Sequence, residues 1–447
     1  MPSGYSKYRE SGIDWLGDIP EHWNVIPVKG LYQRIKRTNY PEAELLSVYR
    51  DYGVIPKSSR DDNHNKESDD LTPYQLVEVN DLVMNKMKVW QGSIAVSEHE
   101  GIVSPAYYVY SPRLRHQELV YPRYVHYLLR NPIYITQYMA RSKGIRVNQW
   151  DLDAEAFERI EILLPTKQEQ EEIYSFLDRE TTRIDNLISE KKTFINLLKE
   201  KRQALISHVV TKGLDPKVKM KDSGIEWIGE VPEHWKCVTL KRLVAKIEQG
   251  WSPECHSNKA KENSWGVLKS GAVNGGTYQE GENKELPETL VPRPEIEVRQ
   301  GDLIMSRASG SRELIGSAAY VYKTRKKLML SDKLFRLTCA EDADPEFVSI
   351  CLGSHPLRRQ IELSIGGAEG LANNISQANI KNLYLTKPPL EEQMLLVKQL
   401  KERLEKFQRM ISETTQSINL LNEHRTALIS AAVTGKIDVR NHKEQAA

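Results

Sequence analysis

A thirteen-residue segment occurs twice in this 447-residue chain, and it limits the possible folds more than any other sequence feature. Residues 11–23 read SGIDWLGDIPEHW and residues 223–235 read SGIEWIGEVPEHW, with nine identical positions. A second pair, RQALISHVVTKGLD at 202–215 and RTALISAAVTGKID at 425–438, closes each half. Stacked repeat arrays have periods of roughly 20 to 50 residues. The longer spacing here predicts a duplicated half-molecule.

Length and composition predict a folded, cytoplasmic protein of two or three domains. The chain has no run of 18 apolar residues and no apolar stretch at its N-terminus, so we expect neither a membrane span nor a signal peptide. Its net charge of +2 is uninformative about nucleic acid, because a basic face can be offset by acidic helices elsewhere. Cys237, Cys255, Cys339 and Cys351 form no CxxC pair, which predicts free thiols and no metal site.

Two long segments predict two long helices. The first runs from Gln168 to about Val209 without Gly or Pro, roughly 60 Å at 1.5 Å per residue, and the second runs from Glu391 to about Val433. Alternating steps of four and three residues predict that each helix presents one stripe to a partner helix. The alternative is that each helix packs only on its own half of the chain. The first predicted stripe is Ile173, Leu177, Glu180, Ile184, Leu187, Lys191, Phe194, Leu198, Lys201 and Leu205, and the second is Leu396, Leu400, Leu404, Phe407, Ile411, Ile418, Leu421, Leu428 and Ala432.

The intervening regions, residues 24–164 and 236–386, mix short β-branched or aromatic runs with Gly, Pro, Asn and Asp turns. The two regions share short, weakly similar segments, such as NDLVMNK at 80–86 and GDLIMSR at 301–307. These echoes predict one α+β fold used twice, with largely different surfaces.

Basic and amide side chains in these regions are candidates for DNA binding, because Arg and Lys bind phosphates or guanine while Asn and Gln can read adenine. An ordinary solvated surface is the alternative for each residue. The candidates in the first region are Lys86, Lys88, Trp90, Gln91, Arg141, Lys143, Arg146, Asn148 and Gln149, and those in the second are Lys269, Arg307, Arg312, Asn373, Asn374 and Gln377.

The repeated aromatic and histidine residues favour common packing or docking of a common partner over base stacking. They are Trp15, His22 and Trp23 in the first copy and Trp227, His234 and Trp235 in the second.

Catalytic motifs are missing from the sequence. There is no GxxxxGK[ST], GxGxxG, HExxH or GxSxG pattern, which predicts no catalytic residues in this chain. Asn131-Pro132-Ile133-Tyr134 resembles the loop with which amino-group methyltransferases hold adenine, but no Gly-rich cofactor turn precedes it. A turn between two helical segments is the better interpretation.

The two WxGxxPxHW segments, the two variable regions and the two long helices, each introduced by Pro and a Glu-Gln pair (Glu169-Gln170 and Glu392-Gln393), resemble the specificity subunit of type I restriction-modification enzymes. The resemblance implies an α+β fold. Two target recognition domains would be separated by two long helices that form an antiparallel coiled coil with pseudo-twofold duplication. Its domains would be 1–165, 166–212 (helix), 213–388, 389–436 (helix) and a tail at 437–447.

The same resemblance implies that each target recognition domain reads one half of an asymmetric bipartite site in double-stranded DNA. Two modification subunits that bind S-adenosylmethionine would methylate adenine, and two restriction subunits using ATP and Mg would translocate and cleave DNA. This chain itself would hold no cofactor. Three alternatives stay open: a recognition subunit for a fused methyltransferase-nuclease, a coiled-coil scaffold that does not bind DNA, and an enzyme in its own right.

Overall fold

The computed structural model describes residues 4–50, 52–60, 67–144, 150–366 and 373–440. The chain forms two compact units. Unit 1 comprises Met1–Lys191 with Gln416–Ala447, and unit 2 comprises Lys192–Thr415. Both boundaries fall inside long helices, so each unit contains one part of each long helix. Within the described ranges, no helix is long and apolar enough to cross a membrane.

Unit 1 is built on a four-stranded antiparallel sheet in the order β4-β11-β8-β9, with the hairpin β1-β2 and the pair β3-β12 beside it. Two further antiparallel pairs, β5-β6 and β7-β10, complete its strands in the described part of the chain. The strands are β1 Tyr8–Glu10, β2 Asp18–Pro20, β3 Asn24–Pro27, β4 Tyr32–Ile35, β5 Leu46–Tyr49, β6 Gly53–Pro56, β7 Gln75–Val77, β8 Leu82–Asn85, β9 Ile94–Val96, β10 Gly101–Val103, β11 Tyr107–Pro112 and β12 Glu161–Leu164. The helices are α1 Val28–Leu31, α2 Pro122–Leu129, α3 Pro132–Arg141, α4 Ala154–Glu158 and the first part of α5 Lys167–Lys212.

Unit 2 repeats this plan. Its four-stranded antiparallel sheet has the order β16-β22-β19-β20, and β13-β14 and β15-β23 correspond to the hairpin and the pair of unit 1. A three-stranded sheet, β18-β17-β21, corresponds to β6, β5 and β10 of unit 1. The antiparallel pair β17-β18 matches β5-β6, and the parallel pair β17-β21 matches the parallel bridge between Leu45, which precedes β5, and Ile102 of β10. The strands are β13 Met220–Asp222, β14 Glu230–Pro232, β15 Lys236–Thr239, β16 Val244–Gln249, β17 Gly266–Leu268, β18 Asn283–Glu285, β19 Leu303–Ser306, β20 Ala318–Tyr320, β21 Leu328–Met329, β22 Leu334–Cys339 and β23 Tyr384–Lys387. The helices are α6 Pro345–Leu352, α7 His355–Ser364, α8 Gln377–Lys381 and the first part of α9 Leu390–Val433.

The predicted fold class is confirmed, because both units combine an antiparallel sheet of the same strand order with helices. The NDLVMNK and GDLIMSR echoes contain β8 and β19, which occupy the same position in the two sheets.

The two long helices pack together, as predicted. In unit 1, Leu177 of α5 and Val433 of α9 belong to one buried cluster, and in unit 2, Val210 of α5 and Leu400 of α9 belong to another. The beginning of each helix therefore lies beside the end of the other, which makes the pair antiparallel. The alternative that each helix packs only on its own half is wrong, because the last turns of α9 are in the core of unit 1.

The buried stripe of α9 follows the prediction, but that of α5 differs at alternate positions. The spacing predicts Leu187 and Phe194 in the stripe, yet they are 37% and 43% exposed, while the adjacent Ile188 is buried and Ile195 is half-buried. The seven-residue spacing through Leu177 and Leu198 is correct. The intermediate contact falls four residues after Ile184 and after Lys191 instead of three, and the residues at +3 and +4 are both apolar in these two cases.

The end of each long helix packs on the last residue of a thirteen-residue repeat. Here Trp23 and Trp235, which are fully buried, are called the repeat tryptophans. After α9, Gly435 turns the chain with φ +71°, and a Cβ on it would lie 2.4 Å from the Pro20 ring and 3.2 Å from the Trp23 indole. After α5, a Cβ on Gly213 would lie 3.3 Å from Trp235. The two repeats in the sequence therefore form one packing motif.

Replacing Gly435 with Ala should lower the free energy of unfolding by about 3 kcal/mol, because a positive φ and a collision with Pro20 both oppose a Cβ. Gly12→Ala is the matched control: Gly12 has φ +75° but open space around it, so we expect a loss of about 1 kcal/mol. Urea unfolding followed by circular dichroism measures both losses. Equal losses would show that the contact with Pro20 contributes nothing.

Candidate nucleic-acid interface

Equivalent strands in the two units end at a basic residue. β8 is followed at once by Lys86 and β19 by Arg307, and the side chains of both strands are buried. The N–H of Lys86 donates to the carbonyl of Ala106 at 3.2 Å, and that of Arg307 donates to Lys333 at 2.8 Å. A cation therefore stands at the same point of each sheet, where the buried strand reaches the surface.

A carboxylate fixes the other end of each of these strands, buried in unit 1 (Asp81) and half-buried in unit 2 (Asp302). Asp81 precedes β8 and accepts hydrogen bonds from the Glu78 N–H at 2.9 Å and from Arg37 at 2.7 Å. Asp302 precedes β19 and accepts from the Arg299 N–H at 2.9 Å and from Arg336 at 3.3 Å. Burial raises the pKa of both carboxyl groups, and the hydrogen bonds and the Arg partners oppose this effect.

In unit 1, a loop near the end of the domain closes against the strand-end cation. Lys143 and Asp151 exchange backbone hydrogen bonds of 2.9 and 2.8 Å, and the Leu152 N–H donates to the Lys86 carbonyl at 3.0 Å. The Lys86 ammonium lies 3.7 Å from the Asp151 carboxylate. We call residues 143–151 the late loop of unit 1. Of the predicted residues, Arg146, Asn148 and Gln149 fall outside the described ranges.

Unit 2 has the same closure with different side chains. Gly366 and Asn374 exchange backbone hydrogen bonds of 3.1 and 3.3 Å, and the Ile375 N–H donates to the Arg307 carbonyl at 2.9 Å. Residues 366–374 are therefore the late loop of unit 2. Because the backbone contacts match one for one, Asp151 corresponds to Asn374 and Trp150 corresponds to Asn373.

The structure brings the two predicted segments of unit 1 together. The indole rings of Trp90 and Trp150 lie 4.8 Å apart between centroids, which joins the turn after β8 to the late loop. Residues 86–91 and the described residues on either side of this loop, 141–144 and Trp150, are thus assigned to one surface. Its other described candidates are exposed (Lys88, Gln91, Lys143) or half-buried (Lys86, Arg141).

The predicted residues of unit 2 are not all together. Asn373, Asn374 and Gln377 lie at the late loop near Arg307 or just after it. Arg312 instead donates to the carbonyl of Glu362 in α7 at 3.2 Å. Lys269 follows β17 in the separate three-stranded sheet, where its ammonium lies 3.8 Å from Glu282.

Each repeat tryptophan is bound to a carboxylate in the first turn of a long helix. Glu169 of α5 accepts hydrogen bonds from the Trp23 indole at 3.0 Å and the Tyr5 hydroxyl at 2.7 Å, and lies 2.9 Å from His22 Nε2. Glu392 of α9 accepts from the Trp235 indole at 3.1 Å and lies 2.9 Å from His234 Nε2. Burial, with the hydrogen bond to Glu169, raises the pKa of Tyr5.

The glutamine that follows each of these carboxylates fixes the helix to its domain. Gln170 donates to the carbonyls of Leu119 and Pro165, both at 2.9 Å, and accepts from the Tyr121 N–H at 2.8 Å. Gln393 makes the same three bonds in unit 2, with the partners Asp342, Pro388 and Asp344. The Glu-Gln pair therefore connects three parts of each unit.

Comparisons with known proteins agree with this duplicated architecture. The family model for the type I restriction modification DNA specificity domain matches residues 20–197. The EcoKI specificity subunit of Escherichia coli K12 is 22% identical over 438 residues, covering 94% of this chain and 90% of that relative. The EcoEI specificity subunit of Escherichia coli is 35% identical over 191 residues, which cover 40% of this chain and 32% of that relative.

Solved structures match along most of the chain. A chain from a structure of the assembly and conformational transition of a type I restriction-modification system has a TM-score of 0.69 at 15% identity, covering 93% of this chain and 98% of that one. The HsdS subunit from Thermoanaerobacter tengcongensis has a TM-score of 0.51 at 16% identity, with the same coverage. Residues 20–197 therefore match the type I specificity domain, and the relatives that align along most of the chain are type I specificity subunits.

The other repeated tryptophans of this chain are not equivalent. Trp15 packs edge-on against Tyr134 with ring centroids 5.1 Å apart, whereas Trp227 is 40% exposed. Tyr134 belongs to the Asn-Pro-Ile-Tyr segment, in which the Asn131 side chain accepts from the Ile133 N–H at 3.0 Å and caps α3. The predicted turn between two helices is made by Arg130 and Asn131, and Pro132, Ile133 and Tyr134 are the first residues of α3.

Sequence reasoning missed Trp150 and the role of the Glu-Gln pairs. Trp150 directly follows the predicted basic loop, so extending that loop by one residue would have included it. Apart from Pro165, the hydrogen-bond partners of the Glu169 and Gln170 side chains are 49 to 164 residues away in sequence, and only the occurrence of the Glu-Gln pair in both halves indicated that it matters.

Glu169→Gln should destabilise unit 1 by roughly 2 to 4 kcal/mol, because an amide replaces a buried carboxylate that accepts from two donors. Glu392→Gln is the matched variant in unit 2. The Glu392 side chain is 30% exposed against 3% for Glu169, so we expect a loss of about 1 kcal/mol. Hydrogen exchange measured by mass spectrometry separates the units. Faster exchange confined to residues 4–35 in Glu169→Gln is expected, and unchanged exchange there would contradict the role of this carboxylate.

Proposed function

We propose that this chain is the DNA sequence-recognition subunit of a type I restriction-modification complex. Each unit reads one half of a bipartite site in double-stranded DNA. The main support for the proposal is that both units have the same backbone arrangement, in which the strand-end cation lies beside the late loop. The side chains on this arrangement differ between the units. Such an arrangement keeps the backbone of the two units the same while each unit recognises a different DNA sequence.

The residue types on these surfaces suit DNA. Exposed Lys88 and Lys143 can neutralise phosphates, while Asn373 and Asn374 can hydrogen-bond to base edges. Because unit 1 carries aromatic and lysine side chains where unit 2 carries amides and Arg307, the two half-sites differ. The target is therefore an asymmetric sequence with two specified parts.

The reactions belong to partner subunits. Two modification subunits that bind S-adenosylmethionine methylate adenine, and two restriction subunits use ATP and Mg to translocate and cleave DNA. The twofold occurrence of the Glu-Gln network supports two equivalent docking positions, since identical partners require similar surfaces. The antiparallel helices α5 and α9 set the spacing between the half-sites. A base inside a duplex is methylated only after it is flipped out, and this subunit fixes where that happens.

Mapping methylated adenines in genomic DNA, with and without this gene, tests the proposal directly. We expect one asymmetric bipartite motif that loses methylation when the gene is removed. A methylation pattern that does not depend on the gene would contradict the proposed function.

Replacing Lys88 and Lys143 together with Ala should weaken DNA binding by the assembled complex and reduce its salt dependence. The slope of log K against log salt should fall by about 0.9 for each phosphate that is no longer neutralised by a lysine. Lys7→Ala is the control, because Lys7 is exposed beside the hairpin β1-β2, away from the late loop. Fluorescence anisotropy at several salt concentrations measures the slopes. An unchanged slope in the double variant would remove these lysines from the interface.

A further inference from the structure

One position of the late loop carries chemically opposite side chains in the two units. Trp150 immediately precedes Asp151, and Asn373 immediately precedes Asn374, the residues that close the two loops by matching backbone hydrogen bonds. The backbone therefore places residues 150 and 373 at the same point, beside the strand-end cations Lys86 and Arg307. A large apolar ring stands there in unit 1 and a small amide in unit 2.

The Trp90–Trp150 pair does not serve the core. In the described part of the chain, neither indole packs into any of the hydrophobic clusters, whereas Trp15 and Trp23 both belong to the largest cluster of unit 1. The two rings instead contact each other at an angle of 64° and are both half-buried. Two indoles kept at the surface expose apolar area that folding alone does not require.

The side chains around Trp90 and Trp150 favour a negatively charged polymer that also presents apolar groups. Lys88 and Lys143 are exposed next to the rings, and Asp151 is the acid that faces Lys86. The Trp90 N–H donates to the Met87 carbonyl at 3.0 Å, so the polar edge of that indole is occupied by the protein itself. The Met87 side chain beside it is 51% exposed. In double-stranded DNA, the apolar group available for reading in the major groove is the 5-methyl group of thymine.

Asn373 offers the complementary chemistry. An amide carries a donor and an acceptor and can bind adenine at N6 and N7 in the major groove, which a ring of carbon atoms cannot do. Arg307 follows β19 beside it, as Lys86 follows β8 beside Trp150.

We propose that position 150/373 determines base specificity in both units: Trp150, supported by Trp90, reads a thymine methyl group in one half-site, and Asn373 reads a base edge by hydrogen bonds in the other. This assignment rests on the proposed function and adds the chemical class that each unit recognises.

The test uses the assembled methyltransferase complex with the Trp150→Ala and Asn373→Ala variants. Sequencing of methylated adenines should show that each variant relaxes a different half of the bipartite motif. Methylation of the unchanged motif by Trp150→Ala, or relaxation of the same half by both variants, would overturn the assignment. Trp150→Phe is the conservative control, which should keep the motif because it keeps an apolar ring.

A second measurement tests the thymine contact itself. In duplexes that carry the mapped motif, each thymine of one half-site is replaced in turn by deoxyuridine, which lacks only the methyl group. For the unaltered protein, one replacement should weaken binding about tenfold, and Trp150→Ala should bind both duplexes equally. Equal binding of the thymine and uracil duplexes by the unaltered protein would overturn the methyl contact.

Failure of the inference and failure of the proposed function give different results. If the unaltered complex methylates a gene-dependent bipartite motif and the variants leave it unchanged, only the assignment of Trp150 and Asn373 is wrong. If the unaltered complex shows no gene-dependent motif, the DNA-recognition role itself is wrong.

Discussion

The burial of one indole between the start of one long helix and the end of the other is the contact on which each unit depends. Trp23 donates to Glu169 at the start of α5 and packs against Gly435 after the end of α9. Trp235 makes the same two contacts with Glu392 and Gly213. A carboxylate in the first helical turn is stabilised by the helix dipole, and here it also satisfies an indole N–H that would be costly to bury alone. Since helix, hairpin and sheet meet at this ring, its removal would affect all three.

The same construction explains how two units can share a backbone and differ in what they bind. The residues that set the frame are internal to each unit: the repeat tryptophans, the Glu-Gln pairs and the aspartates before β8 and β19. The late loops contact this frame mainly through backbone hydrogen bonds, which do not depend on the side chain. Substitution at Trp150 or Asn373 therefore leaves the closure of the loop intact, and the recognition surface can change without refolding the domain.

Much of this architecture could be predicted from the sequence, because segments that occur in both halves indicate which elements the two units share. The strand echoes around residues 80–86 and 301–307, and the two Gly- and Pro-free segments, placed the shared sheet strand and both long helices. The register of α5 could not be predicted, because Leu187 and Ile188, like Phe194 and Ile195, are equally apolar neighbours. The separation of Lys269 from Asn373 could not be predicted either, since Lys269 follows a strand of the three-stranded sheet, whose strands are distant in sequence. Trp150 was missed because no pattern distinguishes a tryptophan in a loop from one in a core.

The ends of the described chain meet in unit 1. The Tyr8 hydroxyl donates to the Gly435 carbonyl at 3.0 Å across 427 positions, and Val433 and Val439 are buried in the same cluster as Trp23. Unit 2 is one continuous stretch, so every residue of its core is present once residue 415 has been synthesised. Unit 1 has its strands early but lacks part of its core until the last residues emerge. The half that is synthesised first therefore completes its folding last, and during translation its exposed apolar surface persists for the length of the whole second unit.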